Sequence, residues 1–308
     1  MFQNSFSLSV LVSVFVLLGF VFSAGISSIP DNSDNGETDS SGVMLRVHPI
    51  KIPLNIEFAG ERMPLEINDV KERMDRELLI NTYWHSSSLQ MFKVEYRYFP
   101  EIEKILKQEG VPDDFKYLAL AESGLKDVTS PSSAAGVWQL LKGTAEDMGL
   151  TVNDEVDERF HIEKSTHVAC KYLKQAHDEF GSWTLAAASY NIGLNRMADV
   201  LNRQKVKNYY DLYLNDETSR YVFRIMALKE ILTHPHKYGY YLEKDDLYAP
   251  LPYTTITIDT TIHDLAAFAL QQNTNYKNLK LLNPWLRENS LTVKDADKYQ
   301  LKMPVGGM

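Results

Sequence analysis

The sequence predicts a mainly α-helical domain followed by a small α+β module of βααβ order. Three observations carry this reading. Apolar residues recur at helical spacing in successive stretches from Ser86 to Thr233, and glycines and prolines fall between those stretches. After Tyr253 the pattern changes to strand, helix, helix, strand. With 308 residues and 44% hydrophobic content, the chain can bury a substantial core.

The elements follow in order. Residues 7–22 form an uncharged apolar run before Ser23-Ala24-Gly25, so 1–24 read as a secretory signal, with an uncleaved anchor as the alternative. No cysteine stands just after that run, which argues against a lipoprotein. Residues 25–43 are polar and acidic and are expected to be a disordered linker. Residues 44–85 read as an extended or hairpin segment around Ala59-Gly60 and then a charged helix over Asp69–Asn81.

The helical domain is placed at 86–247. Its first helix, Ser86 to Gln108, is expected in two pieces divided at Pro100, with the aromatics of that stretch in the core. A helix from Pro112 carries Glu122. Thr144 is expected to cap a short helix that Gly149 ends. Longer helices are expected over Glu158–Phe180, Trp183–Tyr190 and Asp216–Thr233. Pro250 and Pro252 then mark the boundary to a module over 250–308.

The stretch VPDDFKYLALAESGLKDVTSPSSAAGVWQ, Val111 to Gln139, holds the chemistry. Phe115, Leu118 and Ala119 form an apolar stripe, and Glu122 lies seven residues after Phe115 and four after Leu118. A carboxylate is thereby placed on the face that the helix buries. Burial disfavours the charged form, so its pKa should rise and a proton should stay on it near neutrality, as a general acid requires. Glycoside cleavage ordinarily takes two carboxylates. Glu146, Asp127 and Asp147 are nearest in sequence, and none repeats the placement of Glu122.

AESGL, TSPSSAAGVWQL and ASYNIG at 188–193 resemble the three signature segments of the soluble-lytic-transglycosylase-type catalytic domain, in its order and at its distances. The likeness is nearest the membrane-bound murein branch of that family. It implies a lysozyme-like α-helical fold and an enzyme, a peptidoglycan lytic transglycosylase. One glutamate, at Glu122, would protonate the oxygen between N-acetylmuramic acid and N-acetylglucosamine. It would then take the proton of the muramic C6 hydroxyl, leaving a 1,6-anhydro end. The matching positions imply substrate contacts at Ser130, Gly136, Gln139, Tyr190 and Asn191, with Tyr221 as a further cleft residue. Gly136 is read as letting backbone approach the sugar. The loop between Glu122 and Gln139 is one residue shorter than in many relatives, and Ile192 stands where a small residue is usual. The segment around Leu282-Asn283-Pro284, with the βααβ order, resembles the lysin motif, a glycan-binding module; a purely structural appendage is the other reading.

Composition narrows the partners. A net charge of −9 and the absence of a basic stripe argue against nucleic acid. The expected partner is the peptidoglycan glycan strand, met by a monomer, with membrane association only through the N-terminal apolar segment. Cys170 is the only cysteine, so no intramolecular disulfide forms, and its apolar setting reads as packing. His161 and His167 lack the two-histidine spacing of a zinc helix, so no metal or other cofactor is expected. Export without disulfides fits a bacterial periplasm or cell envelope, the location that the resemblance implies. A hydrolytic muramidase and a non-catalytic wall-binding protein remain the alternatives.

Overall fold

The computed structural model describes residues 48–294 and 298–305. The expected signal at 1–24, the linker at 25–43 and residues 44–47 lie outside the described residues. No helix among the described residues is long and apolar enough to cross a membrane.

The described chain opens on the expected hairpin, β1 (Glu57–Phe58) antiparallel to β2 (Glu61–Arg62). Ala59 (φ 53°) and Gly60 (φ 80°) both take positive φ, which gives a two-residue turn the twist of the strands it joins. Next comes α1 (Asn68–Tyr83), which buries Val70, Met74 and Leu78. Helix α2 (His85–Glu109) runs through Pro100 instead of dividing there. Proline removes one backbone donor, but Phe92, Phe99, Ile102, Ile105 and Leu106 are buried along the same helix, and that packing outweighs the lost bond. Gly110 (φ 69°) ends it. Phe92 and Phe99 join the core as expected, whereas Tyr96 stays 39% exposed. Tyr98 lines a cavity of about 180 Å³ whose other walls include Asp127, Trp285 and Lys302.

Helix α3 (Phe115–Ser123) starts three residues later than the sequence suggests. Pro112–Asp114 form a tight turn instead, their carbonyls accepting from the N–H groups of Phe115, Lys116 and Tyr117 at 3.1 Å each. Helix α4 (Lys142–Asp147) begins before Thr144, which is therefore inside the helix and caps nothing. A short 3₁₀ turn at Glu158–Phe160 precedes α5 (Ile162–Phe180), so the expected single helix from Glu158 is two elements. Cys170 on α5 is buried among apolar neighbours, and burial pushes its thiol up to about 12. Then come α6 (Trp183–Ile192), α7 (Leu194–Gln204) and α8 (Asp216–Thr233). The sequence reading passed over α7, which buries only Met197 and Val200. Helix α8 has the expected bounds.

The module holds β3 (Tyr253–Ile258), α9 (Leu265–Gln271), α10 (Tyr276–Leu282) and β4 (Tyr299–Pro304), the expected βααβ order. Its strands pair antiparallel, Tyr253 opposite Pro304 and Ile258 opposite Tyr299. From His48 onward, helical domain and module form one compact unit. They share a core: Ala135, Val156 and Phe160 pack with Ile258, Leu265, Leu279, Leu286 and Leu301. Backbone bonds stitch the seam, Asp157 N–H to the Trp285 carbonyl (2.9 Å) and Arg287 N–H to the Glu155 carbonyl (2.8 Å). The prolines at 250 and 252 therefore do not mark a free joint.

The N-terminal hairpin anchors the helices that carry the site. Both oxygens of Glu61 accept at the start of α6, from Trp183 N–H (2.6 Å), Thr184 N–H (3.0 Å) and the Ser182 hydroxyl (2.8 Å). Burial would raise this carboxyl, yet the hydrogen bonds hold it below its usual range. Asp114, just before α3, accepts from Ala59 N–H (2.6 Å) and from Lys229 of α8 (2.6 Å). Phe58 meets Phe115 edge-on at 5.0 Å, and Phe115 meets Trp183 at 5.4 Å. One small ribbon thus fixes the near ends of α3 and α6 against α8.

Candidate active site

Glu122 is the last residue but one of α3. Phe115, Leu118 and Ala119 beneath it are fully buried, and Gly124 (φ 61°) stops the helix immediately beyond. The Ser123 hydroxyl donates to the Val137 carbonyl (2.8 Å), which ties the end of α3 to the loop over 128–140. Burial pushes the Glu122 carboxyl up to about 7. A hydrogen bond from the Tyr221 hydroxyl and the charge of Arg224 pull it down, and the charge of Glu217 adds to the rise. Burial dominates, so the carboxyl holds its proton to a far higher pH than an exposed glutamate does.

The loop is built on itself. Gly136 N–H donates to the Val128 carbonyl (3.0 Å), and Ala135 pairs with both Thr129 and Leu140. Gly136 has φ 77°, and a Cβ there would sit 1.9 Å from the Arg159 carbonyl oxygen. Glycine is thus required by the protein's own backbone, an internal reason that the sequence did not reveal. Arg159 also donates to the Ser133 (2.9 Å) and Leu140 (3.2 Å) carbonyls while paired with Asp157 (2.7 Å). The next element under the loop is Trp138, fully buried, whose indole N–H donates to Thr166 (2.8 Å) on α5.

Two of the expected residues, Tyr221 and Tyr190, lie close to Glu122, and Asn191 bonds the helix that carries Tyr221. The Tyr221 hydroxyl donates directly to its carboxyl, and Tyr221 is 2% exposed. Tyr190 donates to the Trp138 carbonyl (2.8 Å). Burial, and after it the Glu122 charge, drives the Tyr190 phenol well above its usual pKa. Asn191 accepts from the Thr218 hydroxyl (2.7 Å), one turn before Tyr221 on α8. Two residues stand apart. Ser130 bonds within its own turn, to Ser132 (2.9 Å) and Ala134 N–H (3.1 Å). The Gln139 amide donates to the Gly136 (2.8 Å) and Val128 (3.1 Å) carbonyls, and neither residue bonds Glu122 among the described residues.

Sequence reasoning missed Glu217 and Arg224. Both were open to detection, since they lie four before and three after Tyr221 on one helix and so share its face. Of the carboxylates considered as partners, Asp127 lines the cavity beside the module. Glu217 is the second acid within electrostatic reach of Glu122 that the structure brings in.

This arrangement can give a proton to a leaving oxygen and take one back, with the Tyr221 hydroxyl holding the carboxyl in place. Residues 99–213 match the transglycosylase SLT domain, and residues 254–307 match the soluble lytic transglycosylase C-terminal LysM-like domain. Membrane-bound lytic murein transglycosylase D of Escherichia coli K12 is 29% identical over 198 residues, 61% of this chain and 43% of that protein. The chain thus spans less than half the length of this curated relative. Among solved structures, the 70 kDa soluble lytic transglycosylase of Escherichia coli is 16% identical, with a TM-score of 0.41 over 57% of this chain and 33% of that one. A lytic transglycosylase from Pseudomonas aeruginosa is 18% identical, with a TM-score of 0.36 over 51% and 28%. The chain therefore carries a transglycosylase SLT domain at 99–213 and a LysM-like domain at 254–307, and it is homologous to membrane-bound lytic murein transglycosylase D.

Proposed function

We propose that this protein is a peptidoglycan lytic transglycosylase that uses Glu122 alone as acid and then base. The observation that carries the reading is the Glu122 carboxyl, raised to about 7 by burial and held by Tyr221. A group poised there can both give and reclaim a proton at neutral pH. Protonated Glu122 donates to the glycosidic oxygen as the bond from muramic C1 to that oxygen breaks. The C6 hydroxyl of the same muramic residue then bonds to C1, and its proton returns to Glu122. No water is consumed, and the intramolecular hydroxyl supplies proximity that solvent does not match. Tyr190, Asn191, Ser130 and Gln139 line the approach to Glu122 in this reading, and the backbone at Gly136 borders the sugar. The substrate places the protein in the bacterial envelope, and the LysM-like module supplies a second contact with the wall.

Glu217 favours a second reading. An acid on the Tyr221 face of α8 is placed to activate water, which would make the enzyme a hydrolytic muramidase. Mass spectrometry of muropeptides released from purified peptidoglycan separates the two. Products with 1,6-anhydro ends, lighter by one water, support the transglycosylase. Reducing ends would support Glu217 as base, and the Glu217→Gln variant should then lose hydrolysis.

A further inference from the structure

We propose that Arg224 is a specificity-determining residue of this site and takes a carboxylate of the wall strand, an inference that rests on the peptidoglycan reading above. Arg224 lies three residues after Tyr221 on α8 and so shares the face that bonds Glu122. Its side chain is 32% exposed. Among the described residues it makes no hydrogen bond; its one ion pair reaches from Nε to Glu77 Oε2 at 4.0 Å, beyond hydrogen-bond range.

The one acid paired with Arg224 is held more closely by another residue. Glu77 is 1% exposed, and its Oε1 accepts from Arg220 Nε at 2.6 Å. Arg220 therefore takes the nearer oxygen of Glu77 from the same helix, which leaves Arg224 only the longer approach to Oε2. A guanidinium carries five N–H donors in a rigid planar fork, and here the described protein satisfies none of them. The chemistry that satisfies such a fork is a planar anion with two oxygens, bound side by side. A doubly charged anion would be opposed by Glu217 and by ionised Glu122 close at hand, whereas a single carboxylate would meet less repulsion. Wall strands offer that group, because their stem peptides carry free carboxylates. Held by Arg224, such a carboxylate would fix the strand's register against Glu122.

Binding, not turnover, tests this directly. The Glu122→Gln protein is titrated with soluble peptidoglycan strands, and with the same strands after their carboxylates are amidated by carbodiimide and ammonia. With Arg224 in place, amidation should weaken binding tenfold or more. Adding Arg224→Gln should weaken binding to acidic strands by a similar factor and abolish the difference between the two ligands. Arg224→Lys, which keeps the charge but not the fork, should recover only part of the preference. The proposal is overturned by equal binding of both strands with Arg224 present, or by an amidation effect that survives Arg224→Gln. Failure of the transglycosylase reading would appear separately, as wild-type products that lack anhydro ends.

Discussion

Replacing Glu122 with glutamine should stabilise the protein in alkaline buffer while removing its activity. The folded state holds the Glu122 proton to about 7, against an ordinary value of 4.5. A carboxyl whose pKa rises on folding favours the native state fully below its unfolded value, and that contribution is lost as pH climbs through the folded one. The window therefore runs from about pH 4.5 to about pH 7. Over it, the shift corresponds to at most about 3 kcal/mol, a large share of a typical domain's total of roughly 5–15 kcal/mol. Glutamine keeps the shape and accepts the Tyr221 hydrogen bond, but it never ionises. Urea unfolding of both proteins at pH 4 and pH 8 measures the difference. The two should be nearly equal at pH 4, and at pH 8 the variant should be more stable by up to about 3 kcal/mol. Equal stability at both pH values, or an advantage that does not grow with pH, would refute the buried-acid account of Glu122. Turnover of peptidoglycan by the same preparation should be lost at either pH.

Tyr221→Phe removes a donor that favours ionised Glu122, so the pKa of Glu122 should rise further, read as an alkaline shift in the pH–rate profile. An unchanged profile would detach Tyr221 from the acid. Gly136→Ala must accommodate a Cβ at 1.9 Å from the Arg159 carbonyl and a φ of 77°. It should cost ~2–4 kcal/mol in denaturant unfolding, with activity falling as the loop shifts. Glu61→Ala strips three acceptor contacts from the start of α6 and should lower stability by ~1–2 kcal/mol, seen as a drop in melting temperature. Deleting 250–308 uncovers Ala135, Val156 and Phe160, and both melting temperature and turnover should fall together. Full turnover in that truncation would show that the shared core does not support the loop.

Much of the site was legible because it is local. Phe115, Leu118 and Glu122 sit at helical spacing, and the rise of the carboxyl pKa follows from which face is buried. The bounds of α8 were readable from Asn215 and Pro235, an N-cap and a helix-ending proline. Interactions between distant segments were not readable. Nothing near Gly136 in sequence announces the Arg159 carbonyl, and nothing near Glu61 announces the start of α6. Pro100 misled because local propensity yields to packing over a long helix. Helix α7 escaped notice because two buried residues, Met197 and Val200, leave little periodic signal. The proline pair at 250 and 252 suggested independence of the module, which would have left the chemistry untouched by its removal. The core shared by Phe160 and Leu286 points the other way.

That shared core also decides what kind of attachment the module is. A binding module on a slack tether raises the local concentration of whatever it holds, and orientation is left to chance. Here Asp157 and Glu155 bond the backbone of Trp285 and Arg287, and Phe160 is packed beneath the Arg287 guanidinium at 4.2 Å. There is no slack to average over. Any surface that the module contacts is met at one angle to the helical domain, so the module behaves less like an anchor chain than like the guide fence of a saw.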